Sequence, residues 1–228
     1  ATVWHNVAMG ELDYREQYKR NLPHIQPEDA SLFVTFRLAD SIPAHKQQQW
    51  REELRWHEAV WQKIPDEDER RQSQREFHRQ RFSELELLLV KAQFGPTWLN
   101  QPEVAQIVFE SVLFRDQKQY RLDAFCVKAN HVHLLFAPKP TENGTPVALT
   151  RILHSLKSWT ASECNKVLHR TGSFWQAESY DHYVRNDEEW VRILHYILRN
   201  PIKAGLVTDW RNHPFTYCSE AALPFVTI

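Results

Sequence analysis

The 228-residue sequence predicts an α+β fold in which helices pack on a mainly antiparallel sheet. The predicted elements follow the order strand, helices, two strands, helix, strand, helix, and this order is typical of the α+β class. Short runs of β-branched and aromatic residues alternate with stretches whose apolar residues recur at helical spacing. Because 42% of the residues are hydrophobic, the chain can bury a sizeable core as one domain with an insertion.

The chain divides into an N-terminal arm at 1–30, a main domain at 31–215 and a C-terminal tail at 216–228. The main domain begins with a strand that is rich in β-branched and aromatic residues. A helical insertion follows at about 44–93, where Pro65 and four acidic residues after it separate two helices. We interpret the insertion as a helical hairpin packed on the domain, and a DNA-clamping or dimerising element is the alternative.

The middle of the chain predicts a pair of strands with one helix before them and one helix after them. Asn100–Glu103 begin a helix, since they supply a cap residue, an early proline and a glutamate. Residues 119–128 and 131–138 predict adjacent strands, and 147–169 predicts a helix with one apolar side.

The last predicted elements are a strand within 174–184 and a long helix. Asn186 can cap this helix, and Glu189 three residues later completes a capping box. Pro201 and Gly205 are expected to end it.

The composition excludes several classes of protein. The three cysteines are odd in number and widely spaced, so neither a disulfide scaffold nor a zinc ribbon is expected. The sequence shows no signal-peptide pattern and no apolar run of the roughly 20 residues that a membrane span needs, so we expect a cytoplasmic protein without a membrane partner. The net charge is −1, but residues 111–215 carry 14 Lys and Arg against 10 Asp and Glu. This excess is as compatible with chance as with a nucleic-acid footprint.

Two short motifs carry the functional hypothesis. In His131-Val132-His133, strand alternation places both imidazoles on one face, where they form half of a metal site. Tyr196 and Asn200 are four residues apart, so a phenol and an amide oxygen share one face of the last long helix. That face flanks the apolar stripe of the helix, from which it can reach a neighbouring sheet.

These residue types complement each other chemically. Two imidazoles and an amide oxygen leave open positions on a divalent cation, as a catalytic metal requires. The cation would withdraw charge from a phosphodiester, and the phenol of Tyr196 would attack the phosphorus. Taken singly, each residue has a structural alternative, such as packing or ending a helix. Tyr180 and Tyr183 on the preceding predicted strand are competing nucleophiles.

Further segments accompany the two motifs: Tyr18–His24, Phe33–Asp40, Ser155–Ala161, Ser173–Gln176, Glu178–His182 and Lys203–Val207. With these segments the sequence resembles the single-tyrosine HUH transposases. In particular it is similar to the REP-associated tyrosine transposases, which are related to small insertion-sequence transposases. The resemblance covers most of residues 14–210 and excludes the helical stretch near 44–93.

The resemblance implies a ferredoxin-like or RRM-like sheet with both histidines on a central strand. It implies Tyr196 as the nucleophile that forms a 5′-phosphotyrosine with single-stranded DNA, and His131, His133 and Asn200 as ligands of Mg²⁺ or Mn²⁺. Because imidazole is a softer ligand than Mg²⁺ usually takes, Mn²⁺ is expected to bind better in vitro. Such relatives recognise DNA hairpins formed by palindromic repeats, so hairpin DNA is the expected partner.

Five residues are candidates for DNA contacts: Arg151, Lys157, His182, Arg185 and Arg199. For any one of the basic side chains, solvated surface charge is the alternative, and for His182 a structural role is the alternative. Trp175 can stack on a base or pack in the core, and we expect core packing.

Two other functions stay open at this point. A plasmid relaxase or rolling-circle replication initiator has the same two-histidine strand, but usually a third histidine ligand and a tyrosine placed differently. A DNA-hairpin-binding protein that has lost catalysis is the other alternative. The oligomeric state is open between a monomer and a homodimer that exchanges the tyrosine helix.

Overall fold

Five helices and five strands make up residues 31–226, the part of the chain that the computed structural model describes; the predicted arm at 1–30 lies outside it. The strands are β1 Leu32–Arg37, β2 Tyr120–Val127, β3 His131–Pro138, β4 Tyr180–Tyr183 and β5 Thr216–Cys218. The helices are α1 Ala44–Trp61, α2 Glu67–Lys91, α3 Pro102–Arg115, α4 Leu149–Val167 and α5 Asp187–Lys203. Within these described residues, none of the helices has the length and apolar character to cross a bilayer.

All five strands belong to one antiparallel sheet in the order β4-β1-β3-β2-β5. With α1 and α2 set aside as an insertion, the strands and helices up to β4 follow the β-α-β-β-α-β arrangement of the ferredoxin-like fold. The strand β3 is central, with β1 on one side and β2 on the other. The predicted α+β fold with an antiparallel sheet is therefore confirmed.

Helices cover both faces of this sheet. Leu134 and Phe136 of β3 lie in a core cluster with apolar residues of α3 and α4. Leu135 lies in a second cluster, together with apolar residues of α2 and α5. Since side chains alternate along a strand, His131 and His133 share the face of Leu135 and point toward α2 and α5.

The insertion is a helical hairpin formed by α1 and α2, as predicted. Asp66 caps α2 by accepting a hydrogen bond from the backbone N–H of Glu69 at 2.8 Å. Trp50 on α1 is buried, and Phe82 on α2 stacks on Tyr180 of β4 with ring centroids 4.3 Å apart. The hairpin is thus attached to the sheet face that carries the histidines.

The C-terminal region differs from the expectation in two places. Residues 216–228 were expected to be a tail, but β5 lies within them and pairs with β2 at the sheet edge. A three-residue strand is too short to show an alternating pattern in the sequence. Pro201 was expected to help end α5, but the helix continues past it to Lys203, and the backbone N–H of Ala204 still bonds to the carbonyl of Asn200 at 3.1 Å. Gly205 follows with a φ of 69°.

Candidate active site

His131 and His133 project into a closed space beneath α5 and α2. Both side chains are fully buried, and their Nε2 atoms are 3.1 Å apart. The ring of His133 also contacts the ring of Tyr196, with centroids separated by 5.2 Å. The pleat of β3 therefore produces the paired imidazoles that the sequence predicts, and α5 lies against them.

The other ring nitrogens of the two histidines have polar partners. His131 Nδ1 donates to the Oδ1 of Asn130 at 2.7 Å, and His133 Nδ1 shares a hydrogen bond of 2.8 Å with the hydroxyl of Thr35 on β1. An amide oxygen only accepts, so the neutral His131 ring carries its proton on Nδ1 and presents a lone pair at Nε2. Burial, and then repulsion from His133, lowers the pKa of His131 well below its ordinary value.

Tyr196 and Asn200 lie on the same side of α5, next to the histidines. The hydroxyl of Tyr196 is 3.5 Å from Nε2 of His133, and Asn200 is buried and hydrogen-bonds this hydroxyl. The backbone carbonyl of Asn200 accepts a hydrogen bond of 3.2 Å from Lys128, a buried lysine at the end of β2. One helical turn therefore places the phenol beside His133 and the amide beside the phenol.

A fifth polar residue, Glu86, enters the same space from α2. Its Oε2 accepts a hydrogen bond from the hydroxyl of Tyr196 and lies 3.4 Å from Nε2 of His133. Its side chain is fully buried, and its Oε1 has no hydrogen-bond partner. Glu86, His131 and His133 offer three ligand atoms that lie within 4.8 Å of one another.

Glu86 was not predicted as a site residue, although the sequence around it contains a signal. Phe82, Leu85, Glu86 and Leu89 are buried on one side of α2, at positions i, i+3, i+4 and i+7. A carboxylate within the apolar stripe of a helix must find a partner, since burying an unpaired charge is costly. The helical spacing therefore indicates that the Glu86 carboxylate is buried, but it does not indicate which groups the carboxylate contacts.

The electrostatics of the cluster keep the phenol protonated. Burial, and next the negative charge of Glu86, raises the pKa of Tyr196 well above its ordinary value. Burial opposes ionisation of Glu86 too, but the attraction and hydrogen bond of His133 outweigh it and lower the pKa of this carboxyl. A divalent cation at the cluster would compensate the carboxylate charge and favour the phenolate.

Lys157, one of the predicted DNA contacts, has a structural environment. Its ammonium donates to the carbonyl oxygens of Gln176 and Ala177 at 2.6 and 2.9 Å and to the hydroxyl of Ser179 at 3.2 Å. It thereby attaches the segment before β4 to α4. Trp175 in the same segment is buried, and its indole nitrogen donates to Thr160, which confirms the predicted core packing.

The remaining predicted DNA contacts lie in different places. Arg151 and Arg199 are exposed on α4 and α5. His182 is buried 3.1 Å from the carboxylate of Glu189, which also lies 3.5 Å from the guanidinium of Arg185. Glu189 additionally accepts a hydrogen bond from the backbone N–H of Arg185, while Asn186 caps α5 as predicted.

A cleft of about 360 Å³ separates the first turns of α2 from the start of α5. Four arginines line it: Arg75, Arg79, Arg185 and Arg192. Three glutamates also line it: Glu76, Glu188 and Glu189. Of its lining residues, Arg192 is nearest in sequence to Tyr196, which it precedes by one turn of α5.

Known proteins with similar sequences point to one family. Residues 103–200 match the family described as "Transposase IS200 like", and this stretch includes His131, His133, Tyr196 and Asn200. A Haemophilus influenzae protein named as a REP-associated tyrosine transposase is 24% identical over 98 residues, which are 41% of this chain and 56% of that relative. The match thus spans just over half of the relative's length. The resemblance inferred from the motifs is confirmed over this region, whereas Glu86 and the helical hairpin lie outside it.

A solved structure of a REP-associated tyrosine transposase bound to a REP hairpin aligns with this chain at a TM-score of 0.48. Sequence identity in that alignment is 13%, and it covers 86% of this chain and 81% of the other.

Proposed function

We propose that this chain, whose residues 103–200 carry the similarity to the IS200-like transposases, nicks single-stranded DNA and transfers the strand with Tyr196 as the nucleophile. The observation that carries the proposal is the contact of the half-buried Tyr196 with two converging imidazoles, at 3.5 Å from Tyr196 Oη to His133 Nε2. These groups come from β3 and α5: His133 and Tyr196 are 63 residues apart in the sequence but are in contact in the folded chain.

The residues present fit a divalent cation. Nitrogen ligands on one ion at about 2.1 Å stand roughly 3 Å apart, and the two Nε2 atoms are separated by 3.1 Å. Asn130 orients the ring of His131 through Nδ1, as partners of metal-binding histidines do. We propose that His131 and His133 hold Mg²⁺ or Mn²⁺, with Asn200 as the predicted third ligand. When bound, the ion supplies a Lewis acid that withdraws charge from the non-bridging oxygens of a phosphodiester.

The phenol of Tyr196 then has a defined reaction. Its oxygen forms a bond to phosphorus, the bond from phosphorus to the 3′-oxygen breaks, and that oxygen leaves as a hydroxyl after taking up a proton. The phenol proton points at the carboxylate of Glu86, which is its acceptor in this arrangement. The 5′-phosphotyrosine keeps the energy of the broken ester, so a different 3′-hydroxyl can reverse the step and complete strand transfer.

Hairpin-forming repeat DNA is the substrate that we propose. The proposal rests on the family resemblance and on the REP-associated name of the Haemophilus influenzae relative. Because the histidines and Glu86 are fully buried, DNA needs an approach to them, and the arginine-lined cleft at the start of α5 offers phosphate-binding side chains. Of the predicted contacts, Arg185 lines this cleft.

The rival functions make different demands on the site. A catalytically silent hairpin-binding protein has no need for a tyrosine, an amide and two histidines around one space. A relaxase or replication initiator usually has a third histidine at the metal, whereas the third group beside His131 and His133 is here the carboxylate of Glu86. The transposase therefore accounts for more of the observed geometry.

The test uses labelled single-stranded hairpin DNA and Mn²⁺, followed by a denaturing gel. The natural protein should give a covalent protein–DNA band, and Tyr196→Phe should give none, since phenylalanine lacks the attacking oxygen. Tyr183→Phe is the matched control, because Tyr183 packs against the core cluster on the opposite face of the sheet. A band of undiminished intensity from Tyr196→Phe would show that another residue is the nucleophile. Hairpin binding without any band would favour the silent binding protein.

A further inference from the structure

We infer that Glu86 is a protein ligand of the divalent cation, so that the helical hairpin of α1 and α2 is part of the metal site. This inference rests on the proposed function, which supplies the cation. It adds a ligand from a region outside the stretch that matches the transposase family.

The position of the carboxylate supports the inference. Glu86 Oε2 lies 3.4 Å from His133 Nε2, whose distance to His131 Nε2 is 3.1 Å. Three potential ligand atoms thus converge on one small volume, in which all three side chains are fully buried. Two imidazoles and a carboxylate are a common protein ligand set for a catalytic divalent metal that keeps open positions.

The hydrogen bonds of Glu86 leave room for a cation. One carboxylate oxygen accepts from Tyr196, while the other has no partner. A buried carboxylate with an unsatisfied oxygen is costly unless a positive charge approaches it. Lys128 is a nearby cation, but its ammonium binds the carbonyl oxygen of Asn200 at 3.2 Å. A divalent ion held by the carboxylate and the imidazoles would compensate the charge that the two carboxylate oxygens share.

The packing of α2 holds Glu86 in this place. Phe82, Leu85 and Leu89 on the same side of α2 belong to the core cluster that contains Phe33 and Leu135 of the sheet. The guanidinium of Arg81 lies over the ring of Trp50 at 4.9 Å from its centroid, which fixes α2 against α1. The carboxylate therefore reaches the histidines from a rigid helix, as a precise ligand requires.

The experiment is a calorimetric titration of the purified full chain with Mn²⁺ in four forms. Glu86→Gln keeps the size of the side chain and removes its charge, and Glu52→Gln is the control, an exposed glutamate on α1 of the same hairpin. His131→Ala removes an imidazole of the site. We expect Glu86→Gln to weaken Mn²⁺ binding by roughly 10- to 100-fold or more, the range that loss of even an outer-shell partner produces. Glu52→Gln should bind like the natural protein, and His131→Ala should show no binding.

The outcomes separate this inference from the proposed function. Mn²⁺ binding within about twofold of the natural protein in Glu86→Gln, together with loss in His131→Ala, would overturn the role of Glu86 and leave the metal site standing. Absence of Mn²⁺ binding to the natural protein would overturn both.

Hydrogen exchange gives a second readout that a merely structural role of Glu86 would not produce. If Glu86 binds the ion, Mn²⁺ should slow amide exchange in α2 around residues 82–90 of the natural protein, because a ligand stabilises the state that binds it. The same region of Glu86→Gln should be insensitive to Mn²⁺ even when that variant is fully folded. Equal protection of both proteins by Mn²⁺ would contradict the inference.

Discussion

The two faces of β3 divide stability from chemistry. On the face toward α3 and α4, Leu134 and Phe136 are fully buried among other apolar side chains. On the face toward α2 and α5, the neighbouring His131 and His133 are just as buried, but a carboxylate, a phenol and an amide surround them. One strand thus carries a dry core on one side and a polar cluster on the other.

The difference shows what each face contributes. Apolar contacts stabilise the folded chain without regard to direction. The first face therefore needs only the packing of amphipathic helices on an antiparallel sheet that any α+β domain has. The polar face is costly to bury unless its groups satisfy one another or hold an ion. The presence of such a polar cluster at the centre of the fold favours a chemical function for it.

The largest contrast is expected between two adjacent substitutions on β3. Leu134→Ala removes a fully buried side chain and should lower the free energy of unfolding by about 2–5 kcal/mol in a urea titration. The variant should still bind Mn²⁺ and form the covalent DNA complex at temperatures where it is folded. His133→Ala should lose both activities even where its circular dichroism spectrum is native.

The opposite results for Leu134→Ala and His133→Ala would contradict the assignment of stability to one face and chemistry to the other. Loss of Mn²⁺ binding in folded Leu134→Ala, or a covalent complex formed by His133→Ala, would show that the two faces do not have separate roles.

A middle-sized effect is expected at Lys157 on α4. Lys157→Met keeps the aliphatic stem but removes the charged donor from the half-buried carbonyl of Gln176 and the exposed carbonyl of Ala177, which should cost about 1–3 kcal/mol of unfolding free energy. Its affinity for hairpin DNA should keep the salt dependence of the natural protein. Denaturant titration and binding measured at several salt concentrations check the two statements.

Arg151→Ala is the matched comparison for Lys157→Met, since Arg151 is exposed on the same helix. If Arg151 contacts a phosphate, its loss should reduce the salt slope of binding by about one while stability changes by less than about 0.5 kcal/mol. An equal reduction of the salt slope in Lys157→Met would show that Lys157 gives up its hydrogen bonds to the 176–179 segment in order to bind DNA.

The smallest effect is expected at Asn186, which caps α5 by accepting a 2.8 Å hydrogen bond from the backbone N–H of Glu189. Asn186→Ala should lower the free energy of unfolding by about 1 kcal/mol, because the backbone N–H of Glu189 in the first turn loses its hydrogen-bond acceptor. The covalent complex through Tyr196 should form normally, since the packing of α5 on the sheet is unchanged. Asn212→Ala, in the exposed turn after α5, serves as the control and should be near neutral. A large loss of complex in Asn186→Ala would mean that the helix start positions the tyrosine.

Much of this architecture could be predicted because its causes are local. Alternation along 131–138 and the spacing of Tyr196 and Asn200 place each pair on one face, and both faces are turned inward in the structure. Asn186 caps α5 as expected, and α2 begins at the acidic run that predicted a helix start, since both signals depend on a few consecutive residues. The strand at 216–218 was missed because its reason to exist is the free edge of β2.

The α+β class, the order of the elements and the placing of each residue pair on one face followed from the amino-acid sequence. These features depend on periods of 2 and 3.6 residues, which are properties of the chain alone. Only the tertiary structure decided that Glu86, 45 residues before His131, joins that imidazole pair, and that Lys157 holds a loop. The physical reason is that a helical period tells which side of α2 is buried, whereas the packing of the hairpin on the sheet decides what that side meets.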